Sequence, residues 1–291
     1  MKKATKVRLK LLKYARSRDT ARCIFCGKHE TTKEHVYPKW SHPYLLPRTK
    51  SQNRITISIR YPDRIEAAAF KMPPLRDWQI KCVCGDCNNG WMSILEKRLK
   101  PIMIPLMRGR KTHLSDSKLE AIATWAILKV MVTMNRSCKA AQRREMKKKQ
   151  KPLDFWAVFI GTYNRKKWMQ EWGSTPFRLD PDFKFAPGRT KRRRGWPANA
   201  HATTQILNKL FIHVIHGPDH GIVDGWKFTP PRARLSGNLI KIWPPTGVGV
   251  REHWPQARLT DADAFAATYT LQALLMHLAE QVGLAVPLSK L

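Results

Sequence analysis

Long apolar runs are missing from this 291-residue chain. A helix that crosses a bilayer needs about 18 or more consecutive apolar residues, and the nearest approach, Leu119 to Met134, is interrupted by Glu120, Thr124, Lys129 and Thr133. That stretch reads as a buried helix, and no membrane partner is expected. The basic amino terminus does not lead into an apolar stretch of about 7 to 15 residues with a small-residue cleavage site, so no secretory signal is expected and the location reads as cytoplasmic. Acidic residues are scarce too: 21 Asp and Glu stand against 54 Lys and Arg, a formal net charge of +33. Solubility does not require such an excess, and a polyanionic partner is expected. No internal repeat is found.

The basic residues fall in blocks rather than along one amphipathic face. The densest are residues 1–18, 142–151 and 189–194, with Trp, Tyr and Phe scattered among the basic stretches. This mixture suits phosphate contacts with occasional base stacking, and the expected partner is DNA, or RNA. The plain alternative for any one block is a solvated tail or linker. Neither a protein partner nor a homo-oligomer is indicated.

Six cysteines in a reducing compartment do not read as a disulfide framework, particularly as five of them fall in two tight groups between Cys23 and Cys87. Cys23-Ile24-Phe25-Cys26 and Cys84-Gly85-Asp86-Cys87 are two Cys-x-x-Cys pairs, a spacing that places two thiolates on one tight turn. Together they can supply a closed tetrahedral site for structural zinc. Cys82 is an alternative ligand to Cys84; spacing favours Cys84, which leaves Cys82 as a small core residue on the other side of its strand. Cys138 stands outside the cluster and is expected to be buried in or at the end of a helix.

The organisation reads as α+β. Residues 1–19 form a basic arm, 20–110 a small zinc-stapled domain, and 111–291 a larger α+β domain with a central helix and antiparallel strands. In the first domain strands are expected at 55–60, 65–72 and 78–83 and a helix at 88–100, ended by Pro101. Residues 48–77 look like a β insertion. Ser117-Lys118-Leu119-Glu120 has capping-box spacing and is expected to open a helix reaching Ser137. Residues 138–152 read as an exposed connection, 155–163, 206–215, 222–228 and 239–243 as strands, 180–200 as a loop, and Thr260 to Asp263 as the cap of a final helix at 262–282.

Between the Cys pairs lies Thr32-Lys33-Glu34-His35-Val36-Tyr37-Pro38, and directly after the second comes Asn88-Asn89-Gly90-Trp91. In these four elements and their order, residues 20–100 resemble the HNH endonuclease family, whose nuclease unit is a ββα-metal fold. The resemblance implies a divalent-metal-dependent endonuclease that hydrolyses DNA phosphodiester bonds, with His35 as general base and Glu34 and Asn88 as ligands of a catalytic Mg²⁺ or Mn²⁺. An imidazole with a pKa near 6.5 can accept a proton from water at neutral pH, and an amide oxygen is a hard ligand suited to those ions. Asn89 competes with Asn88, because one residue of helix rotation decides which faces the site. The setting could be a phage nuclease, a mobile-element enzyme or a bacterial defence effector.

Two departures stand against the pattern. The interval from His35 to Asn88 exceeds what a compact hairpin needs, and the Asn that orients the base is missing, with Gln79 the nearest amide. Either Gln79 substitutes, or a backbone carbonyl orients His35, or the site is inactive. His42 is close in sequence but reads as a turn residue. Glu96 shares a helical face with Asn88 yet also forms an ordinary i, i+4 pair with Lys100. His213, His216 and His220 lack any partnering Cys or carboxylate pattern and read as strand and loop residues. The competing class is a non-catalytic zinc-stabilised nucleic-acid-binding protein.

Overall fold

The computed structural model describes residues 19–45, 54–60, 65–71, 75–135, 138, 140–154, 156–163, 172–177, 200–216, 239–244, 253–254 and 258–260. The basic arm (all but residue 19), the 189–194 block, the expected strand at 222–228, His220, the final helix and all but the last residue of the 180–200 loop lie outside them.

The fold is mixed α/β, with helices set against antiparallel sheets. Strands β1 (Thr31–His35) and β4 (Gln79–Cys84) pair antiparallel, with His35 opposite Gln79 and Thr31 opposite Cys84. Thr32 faces Val83 and Lys33 faces Lys81, so Cys82 is an extra residue bulged out of β4. A bulge breaks the two-residue alternation of faces, which is why Cys82, Val83 and Cys84 are all buried in succession. The segment between these strands holds a second antiparallel hairpin, β2 (Arg54–Arg60) with β3 (Ile65–Lys71).

From β4 the chain passes straight into helical structure: a turn at Gly85–Cys87, a widened turn at Asn88–Met92, then helix α1 (Ser93–Met107). Pro101 does not end this helix. It and Pro105 are both accommodated inside it, so packing overrides the local penalty: Leu99, Met103, Leu106 and Met107 are buried in the core.

After β5 (Thr112–His113), helix α2 (Asp116–Thr133) is buried on every face from Ala121 to Thr133. Its start corrects the expected capping box. Ser115 is the N-cap, no side chain caps the first turn, and the Ser117 hydroxyl lies 3.2 Å from that of Ser115. The ends of α2 therefore owe little to capping; burial of Trp125, Ile127, Leu128 and Met131, each worth roughly 1.5–3 kcal/mol, holds the helix in place. Thr124 and Thr133 satisfy their hydroxyls on the carbonyls of Glu120 and Lys129.

Residues expected as an open connection instead form helix α3 (Ala140–Lys149), which buries Met146. Arg143 pins α3 down: Nε donates to the Ile24 carbonyl at 3.0 Å and Nη1 to the carbonyls of Asn135 and Cys138. Cys138 is buried between α2 and α3, as expected of it, and burial raises its thiol pKa to about 12.

The remaining strands, β6 (Trp156–Tyr163), β7 (Trp172–Phe177), β8 (Ala200–Leu207), β9 (Leu210–His216), β10 (Ile240–Trp243), β11 (His253–Trp254) and β12 (Arg258–Leu259), build the large sheet, in order β10-β6-β9-β8-β7 with β12 parallel to β6; β11 pairs instead with β5. The single strand expected over 206–215 is a hairpin, because Asn208 turns left-handed with φ 55° and reverses the chain. One hydrophobic core runs from Phe25 and Trp91 through α1 and α2 to Trp156, Val214 and Trp254, across the boundary expected at residue 110. No helix among the described residues is long and apolar enough to cross a membrane.

Candidate metal centre and adjoining cleft

The two Cys-x-x-Cys turns meet. The Cys23 amide donates to the Lys28 carbonyl and Gly27 donates back to Cys23, with Gly27 at φ 78°, a left-handed value that suits glycine. Ile24 N donates to the Cys82 carbonyl, fastening this turn onto β4. As a result the sulfurs of Cys23, Cys26, Cys84 and Cys87 all lie within 4.8 Å of one another. Cys26 Sγ and Cys84 Sγ are 3.5 Å apart. A disulfide would be about 2.05 Å, whereas zinc bound by four sulfurs at 2.3 Å puts neighbouring sulfurs about 3.8 Å apart. The tetrad therefore fits a closed tetrahedral ion, and these four cysteines can hold a metal such as zinc. Cys82 is buried apart from them, its thiol pushed by burial to about 12.

Burial raises the Cys84 and Cys87 thiols, while at Cys23 it is outweighed by hydrogen bonds from the amides of Cys84, Cys26 and Phe25, which bring that thiol down to about 7. Lys28 and Asp86, one from each turn, pair at 2.6 Å on the surface. Phe25 meets Trp91 edge-on at 5.3 Å and packs the first turn against the helical segment.

Beside the tetrad opens a cleft of about 180 Å³, lined by Lys33, Glu34, His35, Pro38, Asn88, Asn89, Met92, Ser93 and Glu96. Its two walls are the end of β1 and the cleft-facing side of the helical segment, where Asn88, Met92 and Glu96 recur every four residues. Each sequence-predicted residue, His35, Glu34 and Asn88, reaches this cleft, and Asn89 does as well. Asn88 is tied across to β1 by Nδ2 donating to Thr32 Oγ1 at 3.3 Å.

His35 stands at the mouth. The Gln79 side-chain amide donates to His35 Nε2 at 2.7 Å; turned by half a rotation, the same amide offers its oxygen to an Nε2–H, so Gln79 can hold either tautomer. Partial burial lowers the His35 pKa, reinforced by His42, Lys39 and Lys129 against a smaller pull from Glu96, which favours the neutral ring. The His42 ring lies 5.8 Å away, held by Nε2 donating to the Tyr37 carbonyl at 3.0 Å.

Glu34 is differently placed. Its carboxylate is buried and meets Lys129 of α2, whose Nζ lies 2.5 Å from Glu34 Oε1, 2.8 Å from Glu96 Oε1 and 2.9 Å from the His35 carbonyl. The Glu96 contact is an ion pair off the hydrogen-bond direction. Burial raises the Glu34 pKa against the pull of Lys129, while the two carboxylates, outweighing burial, raise that of Lys129. Lys129 had registered in the sequence only as an interruption of an apolar run. The signal was there: a lysine on a helix with no polar face is buried, and a buried ammonium requires carboxylate partners.

No family model, curated protein or solved structure matches this chain.

The cleft's chemistry is therefore read from its own donors. Glu34, Asn88 and Glu96 present hard oxygen atoms of the class that Mg²⁺ and Mn²⁺ take, with room left for water. One oxygen of each carboxylate already faces the Lys129 ammonium.

Proposed function

We propose that this chain is a divalent-metal-dependent endonuclease of the HNH type, hydrolysing DNA phosphodiester bonds at the cleft between β1 and the helical segment. The observation that carries the reading is convergence. A neutral imidazole, an amide oxygen and two carboxylates line one small cleft against a four-cysteine site, while a zinc staple alone would require none of them. The antiparallel pair β1 and β4 leading directly into a helix also accords with the ββα arrangement that the motifs suggested.

In this reading the cysteines hold structural zinc and take no part in the reaction, since a four-sulfur site leaves no position for water. His35 takes the proton from the attacking water on Nδ1, in the tautomer whose Nε2–H donates to the side-chain oxygen of Gln79. Glu34, by its oxygen turned from Lys129, and Asn88 would hold a Mg²⁺ or Mn²⁺ ion, which when bound would supply charge neutralisation on the phosphate and on the leaving oxygen. Lys33 at the rim offers a further phosphate contact. The +33 charge gives affinity for the polyanion without base selection.

A specific observation favours a second reading, a non-catalytic zinc-stabilised nucleic-acid-binding protein: Glu34 is already engaged by a buried ammonium. Plasmid cleavage with Mg²⁺ or Mn²⁺, with and without EDTA, separates the two. The nuclease reading expects wild type to cut only with the ion, and His35→Ala to lose about 100-fold or more of the rate while still shifting DNA in a gel. DNA binding without metal-dependent cutting by the wild type would establish the second reading instead.

A further inference from the structure

Lys129 belongs to α2, a helix remote in sequence from the motif residues, yet its Nζ sits behind the cleft against one oxygen of Glu34, one of Glu96 and the backbone carbonyl of His35. Its side chain has no exposed surface, whereas the carboxylates it joins come from opposite walls of the cleft and both line it. The ammonium donates to Glu34 Oε1 and the His35 carbonyl and is ion-paired with Glu96 Oε1, and with its side chain fully buried Lys129 does not reach a ligand in the cleft itself. It acts through Glu34 and Glu96, and it is a positioning residue.

The charge balance of this arrangement has a consequence for ligand order. Two carboxylates and one ammonium leave a single net negative charge behind the cleft, and Lys33 in the rim and Lys39 near His35 add positive charge in front of it. A divalent cation entering alone would leave that region positive in a partly dry site, where uncompensated charge is costly. A cation entering with one phosphodiester anion leaves the buried set neutral.

We infer that Lys129 makes divalent-cation binding in this cleft conditional on an anionic phosphate, by neutralising one of the two carboxylates that would otherwise hold the ion unaided. The inference rests on the proposed nuclease reading and adds to it the order in which metal and substrate are bound. Because linkage is reciprocal, the phosphate tightens the cation by the same factor as the cation tightens the phosphate.

The test is Mn²⁺ binding to zinc-loaded full-length protein, read by the electron-spin resonance of free Mn²⁺, alone and with a short DNA duplex; His35→Ala protein keeps the duplex intact and is compared with wild type in the DNA-free titration. The expected result is weak Mn²⁺ binding alone and about tenfold or more tighter binding with duplex, within the usual range of coupling between sites. Lys129→Met is expected to tighten DNA-free Mn²⁺ binding, because two uncompensated carboxylates then face the ion, and Glu96→Gln to weaken it. The sign decides the role: a lysine that only braced the fold would, when lost, misplace the carboxylates and weaken Mn²⁺ binding. Should Lys129→Met fail to fold, the duplex effect and Glu96→Gln still decide. Equal Mn²⁺ affinity with and without bound duplex, in a protein that cuts DNA with metal, overturns this inference and leaves the nuclease reading standing. Failure to bind or cut DNA overturns both.

Discussion

A lysine with no exposed side-chain surface is tolerable only beside its counter-charges, and Lys129 has Glu34 at 2.5 Å and Glu96 at 2.8 Å. Removing one member of a buried ion pair typically costs about 3–5 kcal/mol, because the partner is left charged and unpaired. Lys129→Met is accordingly expected to lower unfolding stability by about that amount in urea titration. Lys129→Met/Glu34→Gln should recover much of the loss, since no uncompensated charge stays buried. A double variant as unstable as the single one would show that Lys129 matters through shape rather than charge.

The first cysteine turn has little core of its own and is held by Ile24 N on Cys82, by Arg143 of α3 on the Ile24 carbonyl and by Phe25 against Trp91. Four sulfurs gathered from its two ends and from the β4–helix junction could close this region around a metal, and binding free energy at such a site is also folding free energy. Cys84→Ser is expected to lose bound zinc and to lower the melting temperature by several degrees, as would a strong chelator on the wild type; Cys82→Ser, outside the tetrad, should retain the zinc. Zinc assay by mass spectrometry with thermal melting checks both, and full zinc content in Cys84→Ser would remove Cys84 from the ligand set.

Across the whole molecule, the large sheet buries histidines as ordinary core groups. His213 on β9 is fully buried, accompanied by Thr204 Oγ1 at 2.9 Å from Nδ1, and burial lowers its pKa to about 4. The unfolded chain protonates this ring near pH 6.5 while the folded one resists until about 4. The unfolded state therefore binds the extra proton in that window, and stability is full above pH 6.5 and falls as the pH drops toward 4. The loss expected from this one group is roughly 3 kcal/mol, and His213→Gln should flatten the decline between those limits. Urea titrations at stepped pH read the difference; parallel declines in both proteins would assign the acid sensitivity elsewhere. His216, packed against Trp156 with Gln142 at 3.1 Å, is likewise a strand residue, as expected of it.

Local pattern alone was enough for the cysteine tetrad and for most elements. Cys-x-x-Cys spacing makes each pair a single turn, and alternation or apolar periodicity marks β4, β6, β10 and α2, because these depend on neighbours a few residues away. Where sequence reading failed, distant packing had the larger energy: Pro101 stays helical because α1 is buried on both sides of it, the Ser117 cap is unused because α2 is held by its core, and 138–152 becomes helical because Arg143 and Met146 dock it. The cleft divides along the same line. That His35, Glu34 and Asn88 could share a site was suggested by motif order, but the pairing of His35 with Gln79 needed the β1–β4 register, and the bond from Lys129 to Glu34 spans 95 residues. No local spacing encodes a contact of that range; only the burial of α2 beneath the cleft brings its buried ammonium to two carboxylates, since a charge taken out of water must find its partner wherever the chain has folded it.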